Sequence, residues 1–111
     1  MKKNILIVDD DYSFIREIMN SVNTGKTILS FADSVQRAGD MIDYQKFDII
    51  FANSNAPGGD ILKLKERISD DGKIFFLSSN DSDYENLKKS GELCFHKYDI
   101  NGKFEELLSY A

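Results

Sequence analysis

The sequence of 111 residues has one cysteine, one proline and no tryptophan, and it has no apolar run long enough to cross a membrane. The single cysteine, Cys94, excludes an internal disulfide bond and a cysteine-based zinc site. The chain also lacks an excess of basic residues, because its formal net charge is −5. That charge would repel a phosphate backbone. Neither a nucleic acid nor a membrane is therefore a predicted partner.

What is present is the composition of an ordinary globular domain. Hydrophobic residues make up 41% of the chain and charged residues 30%, which allows a core and argues against disorder. A chain of this length has room for one compact domain, residues 1–111. The apolar segment Ile5–Val8 is too short for the core of a signal peptide, so we expect a cytoplasmic location. Cys94 is then expected to be a small, reduced, buried side chain.

The segment Phe47–Asp60 is the most informative part of the chain. It begins with an apolar run, Ile49–Ala52, which is typical of a strand buried on both faces of a parallel sheet. Residues with turn chemistry follow, and Asp60 is a candidate N-cap for a helix over Ile61–Ile68. In open α/β sheets, ligands bind where such a buried strand gives way to a loop and a helix. Asn53, which ends this strand, is therefore the key residue for function.

The rest of the chain repeats this alternation of strand and helix. Five segments rich in apolar, β-branched and aromatic residues are predicted strands: Asn4–Val8, Thr27–Phe31, Ile49–Ala52, Lys73–Leu77 and Leu93–Lys97. Five segments with helical spacing follow them, beginning near Tyr12, Val35, Ile61, residues 80–83 and Phe104, the last ending at Ala111. Alternating strands and helices predict an α/β fold with a parallel sheet and helices on both faces.

Capping residues mark where two of these helices begin. Asp11 can cap the helix that starts near Tyr12, and Asp33 or Ser34 can cap the next one. Gly39 lies inside that second helix and is expected to weaken it by about 1 kcal/mol relative to alanine.

Polar side chains collect where the predicted strands end. The carboxyl ends of parallel strands meet at one edge of the sheet, which brings together Asp9, Asp10, Asn53, Ser78 and Lys97. Adjacent carboxylates stay ionised most easily beside a cation, and oxygen ligands favour Mg²⁺ over a soft metal. A serine hydroxyl and a lysine ammonium, which we expect to be mobile, suit anionic oxygens. This set predicts a place for Mg²⁺ and a phosphoryl group.

These motifs resemble the receiver domain of two-component response regulators. The resemblance covers essentially the whole chain and rests on ILIVDDD, DIIFANSNAPGGD, IFFLSS and the G-x5-K spacing that ends at Lys97. It implies a flavodoxin-like fold with a five-stranded parallel sheet in the order 2-1-3-4-5. It also implies that Asp10 binds Mg²⁺, with Asp9 acting through water and the backbone carbonyl of Asn55 as a further ligand. Ser78 and Lys97 would hold the phosphoryl oxygens.

Asn53 departs from the family at the position that matters most. The family has an aspartate here, which accepts a phosphoryl group from a histidine kinase. An amide does not form an acyl phosphate, so phosphotransfer lacks its nucleophile. The lost negative charge also weakens the attraction for Mg²⁺, although the Asn53 carbonyl could serve as a neutral ligand. The neighbouring Ser54 has no adjacent base and is a poor substitute acceptor.

Two further departures lie around Lys97. Tyr98 stands where the family usually has a proline after a cis peptide bond, and a cis bond here would cost about 2.5–4 kcal/mol. We therefore expect a trans Lys97–Tyr98 bond and a changed direction of the lysine. The stretch before Lys97 is also one residue short, so the family's switching aromatic position falls on Cys94, with Phe95 the nearest aromatic. His96 is expected to form a local hydrogen bond rather than to carry a phosphoryl group.

These departures favour a pseudo-receiver, which is not an enzyme and signals by protein–protein interaction. Its partner face is expected to include residues of the fourth helix, fifth strand and last helix: Tyr84, Leu87, Cys94, Tyr98 and Phe104. The partner could be another signalling protein or a second copy in a homodimer. No cofactor is expected other than weakly bound Mg²⁺. No output domain is visible, so DNA binding is not predicted.

Two alternatives stay open from the sequence. The first is an ordinary Mg²⁺-dependent phosphoacceptor receiver that carries an engineered aspartate-to-asparagine change at Asn53. The second is a flavodoxin-like binder of a small ligand at the same edge of the sheet. The absence of a glycine-rich turn after the first strand, where Asp9–Asp11 stand instead, argues against that binder.

Overall fold

The computed structural model describes residues 2–22, 25–68, 72–103 and 106 of the chain. Its strands are β1 (Lys3–Val8), β2 (Thr27–Ala32), β3 (Ile49–Asn53), β4 (Lys73–Ser78) and β5 (Cys94–His96). Its helices in this part are α1 (Tyr12–Ser21), α2 (Val35–Tyr44), α3 (Asp81–Lys89) and two 3₁₀ helices, Ile61–Arg67 and Lys97–Lys103. The strands form one parallel sheet in the order β2-β1-β3-β4-β5, which confirms the predicted α/β fold class.

The core consists of one apolar layer on each face of the sheet. In β1, Leu6 and Val8 face α2, the first 3₁₀ helix and α3, whereas Ile5 and Ile7 face α1 and Ile100 of the second 3₁₀ helix. Strands β1, β3 and β4 occupy the middle of the sheet and are buried on both faces. This is why their sequences are apolar runs and not alternating patterns. No helix in the described part of the chain is long and apolar enough to span a bilayer.

The predicted N-caps are present, but the helix after β3 differs from its prediction. The Asp11 carboxylate accepts hydrogen bonds from the amides of the first turn of α1, and the Ser34 hydroxyl accepts one at the start of α2. Asp60 also acts as an N-cap. The helix it caps is a 3₁₀ helix over Ile61–Arg67, one residue shorter than the helix predicted over Ile61–Ile68. Its two buried residues are three positions apart, which matches the three-residue turn of a 3₁₀ helix.

The end of the chain also differs from its prediction. Strand β5 covers only Cys94–His96, and Lys97 begins a 3₁₀ helix that was not predicted. This helix has one fully buried apolar residue, Ile100, and therefore no periodic pattern in its sequence. The peptide bonds of the described residues are all trans, including Lys97–Tyr98 as expected. The last predicted helix, from Phe104 to Ala111, lies outside the described residues except for Glu106.

Gly39 in α2 makes room for a side chain from the neighbouring element. The guanidinium group of Arg67 lies over Gly39, where a Cβ atom would collide with it. From there it forms an ion pair with Asp43, with 2.6 Å between Nη2 and Oδ2. The residue that weakens α2 thus also allows α2 and the first 3₁₀ helix to approach each other closely.

Candidate functional site

Four buried polar residues lie where the strands end. Asp9 follows β1, Asn53 ends β3, Ser78 ends β4 and Lys97 follows β5; each is at most 6% exposed. Since the five strands are parallel, these residues share the carboxyl edge of the sheet. Buried polar groups are costly unless they are paired. Their partners therefore indicate what this edge can do.

The Lys97 ammonium group is held by two carboxylates. Its Nζ lies 3.0 Å from Oδ2 and 3.3 Å from Oδ1 of Asp9, and 3.2 Å from Oδ2 of Asp11. The hydrogen bond to Asp9 goes to Oδ1, which also accepts one from the Asp11 amide at 2.9 Å. The Nζ atom also lies 4.8 Å from the ring centre of Phe14, a cation–π distance. Lys97 is thus buried and paired, and the mobility of its ammonium group stays a prediction.

Asp11 is a functional neighbour that the sequence analysis missed. The sequence predicted Asp11 only as an N-cap. In the structure its Oδ1 atom fills that role and accepts hydrogen bonds from the amides of Ser13 and Phe14. The other oxygen, Oδ2, pairs with Lys97. The one sequence feature that could have indicated this pairing is the position of Asp11 directly after Asp9 and Asp10.

This pairing shifts the pKa values of two of its members. Burial by itself would lower the pKa of Lys97, but hydrogen bonds and charge from Asp9 and then Asp11 outweigh it, and the net shift is upward. The pKa of Asp11 is lowered, chiefly by the hydrogen bond from the Phe14 amide and next by the one from Lys97. Lys97 and Asp11 are therefore both charged at neutral pH.

Asn53 is part of a tight turn at the end of β3. Its Oδ1 atom accepts a hydrogen bond from the Asn55 amide at 2.9 Å, and its backbone carbonyl accepts one from Ala56 at 3.0 Å. The Ser54 amide donates to the Leu77 carbonyl at 2.8 Å, which attaches the turn to β4. The Ser54 hydroxyl is buried without a hydrogen-bond partner among the described residues, so no base there activates it.

Ser78 also has local partners. Its hydroxyl donates to the Asn80 carbonyl at 2.7 Å and accepts from the Asn80 amide at 3.2 Å. Asn80 in turn caps α3, because its Oδ1 accepts from the Asp83 amide at 2.8 Å. The predicted phosphoryl-binding hydroxyl thus already stabilises the start of the next helix.

The predicted Mg²⁺ ligands offer a divalent cation an incomplete site. The Oδ2 atom of Asp9 has no hydrogen-bond partner among the described residues, which suits a cation, but Lys97 Nζ already lies 3.0 Å from it. Asp10 and Asn55 are exposed, and Oδ1 of Asn53 already accepts a hydrogen bond. Within the described ranges, no three histidine, cysteine, aspartate or glutamate side chains are grouped to hold a metal. Mg²⁺ would have to compete with Lys97 for Asp9.

The predicted partner face is only partly available to a partner. Tyr98 is 68% exposed, whereas Leu87 is 7% exposed and packs in the core, so its assignment to the face is wrong. The reason is that Leu87 is the one buried residue of α3 and supplies its contact with the sheet. Phe104 lies outside the described residues.

The remaining residues of this face form a cluster between α3 and β5. Tyr84 stacks on His96 with 4.1 Å between ring centres, and Nε2 of His96 lies 4.0 Å from the exposed Asp81 carboxylate. Cys94 is half-buried, whereas a buried side chain was expected, and its thiol donates to the Tyr84 carbonyl at 3.9 Å. Burial raises the pKa of the Cys94 thiol, which makes it a poor nucleophile. Of the predicted partner face, Tyr84 and Cys94 are therefore brought together between α3 and β5.

Comparisons with known proteins give a clear result for the fold. No protein-family model and no curated protein sequence matches the chain. Its structure is similar to the non-phosphorylated receiver domain of the stress response regulator RcsB from Escherichia coli, with a TM-score of 0.79 and 15% identity over 98% of this chain and 92% of that chain. It is also similar to the chemotaxis response regulator CheY4 of Vibrio cholerae, with a TM-score of 0.73, 14% identity and complete coverage of both chains.

A third similar structure is the non-phosphorylated receiver domain of HemR from Leptospira biflexa. Its TM-score is 0.73 at 18% identity, over 97% of this chain and 95% of that chain. The chain described here therefore has the flavodoxin-like fold of response-regulator receiver domains.

Proposed function

We propose that this chain is a receiver-like signalling domain of the two-component type, which binds a protein partner and does not accept a phosphoryl group. The observation that carries the proposal is Asn53 at the end of β3, the position of the acceptor aspartate in the receivers that the sequence resembles. An amide at that position offers no carboxylate oxygen to attack phosphorus. On this proposal the chain is not an enzyme.

The charges of the sheet edge support this proposal. Lys97 and Ser78, which would hold phosphoryl oxygens in such a receiver, have Asp9, Asp11 and Asn80 as their partners. A phosphoryl group would have to displace the ammonium group from two carboxylates. We propose that Mg²⁺ binds only weakly, through Asp9, Asp10 and oxygens of Asn53 and Asn55, because Lys97 already neutralises Asp9.

One observation favours a second candidate, an ordinary Mg²⁺-dependent receiver into which asparagine was introduced. The Oδ1 atom of Asn53 accepts its hydrogen bond from the Asn55 amide, and an aspartate carboxylate could accept the same bond. Restoring the aspartate would therefore leave the turn unchanged. The two candidates differ in whether Asn53→Asp alone restores phosphorylation.

Intact-mass spectrometry after incubation with acetyl phosphate and Mg²⁺ tests the proposal. The wild type, Asn53→Asp and the control Asn53→Ala are treated side by side, with far-UV circular dichroism to show that each is folded. We expect no phosphoryl addition to the wild type or to Asn53→Ala. Addition to the wild type would refute the proposal and direct attention to Ser54 or Asp10 as acceptor.

Asn53→Asp then separates the two candidates. If no phosphoryl group is added to this variant, the result supports the first candidate, in which Lys97 is also not placed for phosphoryl transfer. If a phosphoryl group is added, the result supports the second candidate, because one residue would then silence a working receiver site. As a control, adding Asp10→Asn to Asn53→Asp should abolish this phosphorylation.

A further inference from the structure

Strand β2 is an open edge of the sheet. Among the described strands it pairs only with β1. The carbonyl of Lys26 accepts a hydrogen bond from the amide of Lys3 in β1, and the carbonyl of Ala32 accepts one from the amide of Asp9 just after β1, both at 2.9 Å. Successive residues of a strand direct their backbone groups to alternate sides. The N–H and C=O groups of Leu29 and Phe31, at the odd positions, therefore face away from β1. They are available to a further strand.

This edge has none of the features that usually prevent strands from pairing between molecules. Its six residues, TILSFA, contain no charge, no proline and no glycine. The opposite edge strand, β5, is only three residues long and is followed directly by a 3₁₀ helix. Native sheets protect their edges by short strands, charged residues, proline or bulges. Among the described strands, β2 is therefore the edge suited to pairing.

Apolar side chains border β2 on both faces of the sheet. Ile28, Met19 and Tyr44 are 48%, 52% and 92% exposed. A hollow of about 210 Å³ lies on the α1 side, between Met19 and the side chains of Leu29 and Phe31. A second hollow, of about 340 Å³, lies on the α2 side beside Ser30 and Tyr44, and the charged residues Arg37 and Asp40 also line it. A partner strand with apolar neighbours could fill both hollows and cover these side chains.

The charges that flank β2 indicate which partner fits. The exposed Lys26 precedes the strand and Asp33 follows it, so the two ends of an uncharged strand carry opposite charges. An antiparallel copy of the same strand would bring Lys26 within one residue position of Asp33 of the other copy, with the two side chains on opposite faces of the sheet. A parallel copy would instead bring like charges together. Within its own chain, the Asp33 carboxylate lies 3.7 Å from Nε of Arg37. We propose that β2 pairs antiparallel with β2 of a second copy of this chain, which joins the two sheets into one continuous sheet.

The outward-facing groups define the register of this pairing. Leu29 and Phe31 of one copy would exchange hydrogen bonds with Phe31 and Leu29 of the other, four bonds in all. Ser30 would then lie opposite Ser30 of the second copy, in a pair without hydrogen bonds and with about 4.5 Å between Cα atoms. Ile28 would lie opposite Ala32, on the α2 side. This interface is at the other end of the sheet from the cluster of Tyr84 and His96, so its test is independent of the proposed function.

Sedimentation equilibrium of the full chain tests the proposal. The wild type is expected to show a mass that rises with concentration towards twice 12.6 kDa. Ile28→Lys should weaken dimer formation about tenfold or more, because it places an ammonium group in the interface. The matched control is Leu93→Lys, since Leu93 is 53% exposed and precedes the opposite edge strand. It should leave the dimer unchanged, and circular dichroism should show that both variants are folded.

Disulfide cross-linking tests the register without relying on a disruptive variant. In a Cys94→Ala background, Ser30→Cys should form an intermolecular disulfide under mild oxidation, because a pair without hydrogen bonds has a suitable Cα separation. Ile28→Cys should not form this disulfide, because residue 28 of one copy would lie opposite residue 32 of the other, four residues away from the second cysteine. A wild type that stays monomeric up to about 1 mM, a dimer unaffected by Ile28→Lys, or equal cross-linking at both positions would overturn the proposal.

Discussion

Replacing Lys97 with methionine tests whether the buried charges at the sheet edge stabilise the fold as a unit. Methionine keeps the length of the side chain and its contact with Phe14 but removes the charge. Among the described residues, the fully buried Asp9 carboxylate would keep only the hydrogen bond from the Asp11 amide to balance its charge. Removing one partner of a buried ion pair costs about 3–5 kcal/mol. We expect about 3 kcal/mol here, because the Asp11 side chain is 36% exposed and water can solvate it.

Urea unfolding at pH 7, followed by far-UV circular dichroism, measures this cost. The control is Lys65→Met, because Lys65 pairs with Glu92 at 2.8 Å but is itself 45% exposed. That variant should lose about 0–1 kcal/mol, as surface ion pairs do. Adding Asp9→Asn to Lys97→Met should recover part of the loss, since it removes the uncompensated charge. A loss from Lys97→Met no larger than that from Lys65→Met would refute the buried ion pair.

Two other predictions concern stability. The pKa of Asp11 is lowered in the fold, so its carboxylate stabilises the protein above its unfolded pKa, about 3.9, and this contribution is lost as the pH falls through the folded value. Urea unfolding between about pH 6 and 3 should therefore show that the free energy of unfolding falls less steeply with acid in Asp11→Ala than in the wild type. The same pH dependence in both proteins would contradict the lowered pKa. Gly39→Ala should be neutral or stabilising by up to about 1 kcal/mol, because helix propensity improves and only the flexible end of Arg67 must move. A loss above about 1 kcal/mol in thermal or urea unfolding would show that Arg67 is fixed in place.

The sheet could be predicted because its strands have a distinctive sequence. Strands β1, β3 and β4 are buried on both faces, so each is an apolar run with a polar residue at or just after its end. The alternation with helices then fixes a parallel sheet and one shared edge. Asp9, Asn53, Ser78 and Lys97 could therefore be assigned to that edge without any distance.

The partners of these side chains could not be predicted from the sequence. Which carboxylates Lys97 reaches depends on the direction of the backbone after β5, and a 3₁₀ helix with a single buried apolar residue leaves no periodic signal there. Asp11 was recognised as an N-cap, but a cap requires only one carboxylate oxygen and does not indicate where the second one points. Leu87 was assigned to the partner face together with other residues of the fourth helix, fifth strand and last helix, and the sequence did not show that it is the residue of α3 that packs against the sheet.

The neutral Asn53 and the buried position of Lys97 are linked by the charge balance of the sheet edge. Within the described residues, the ammonium group has its hydrogen bonds and ion pairs with Asp9 and Asp11, and Asn53 supplies no charge to compete for it. A carboxylate at position 53 would add a negative charge to the same edge and favour an additional cation. A neutral residue at position 53 and the pairing of Lys97 with Asp9 and Asp11 are therefore electrostatically consistent with each other. Asn53→Asp would change the nucleophile and this balance together, so its phosphorylation is informative only if its stability is measured as well.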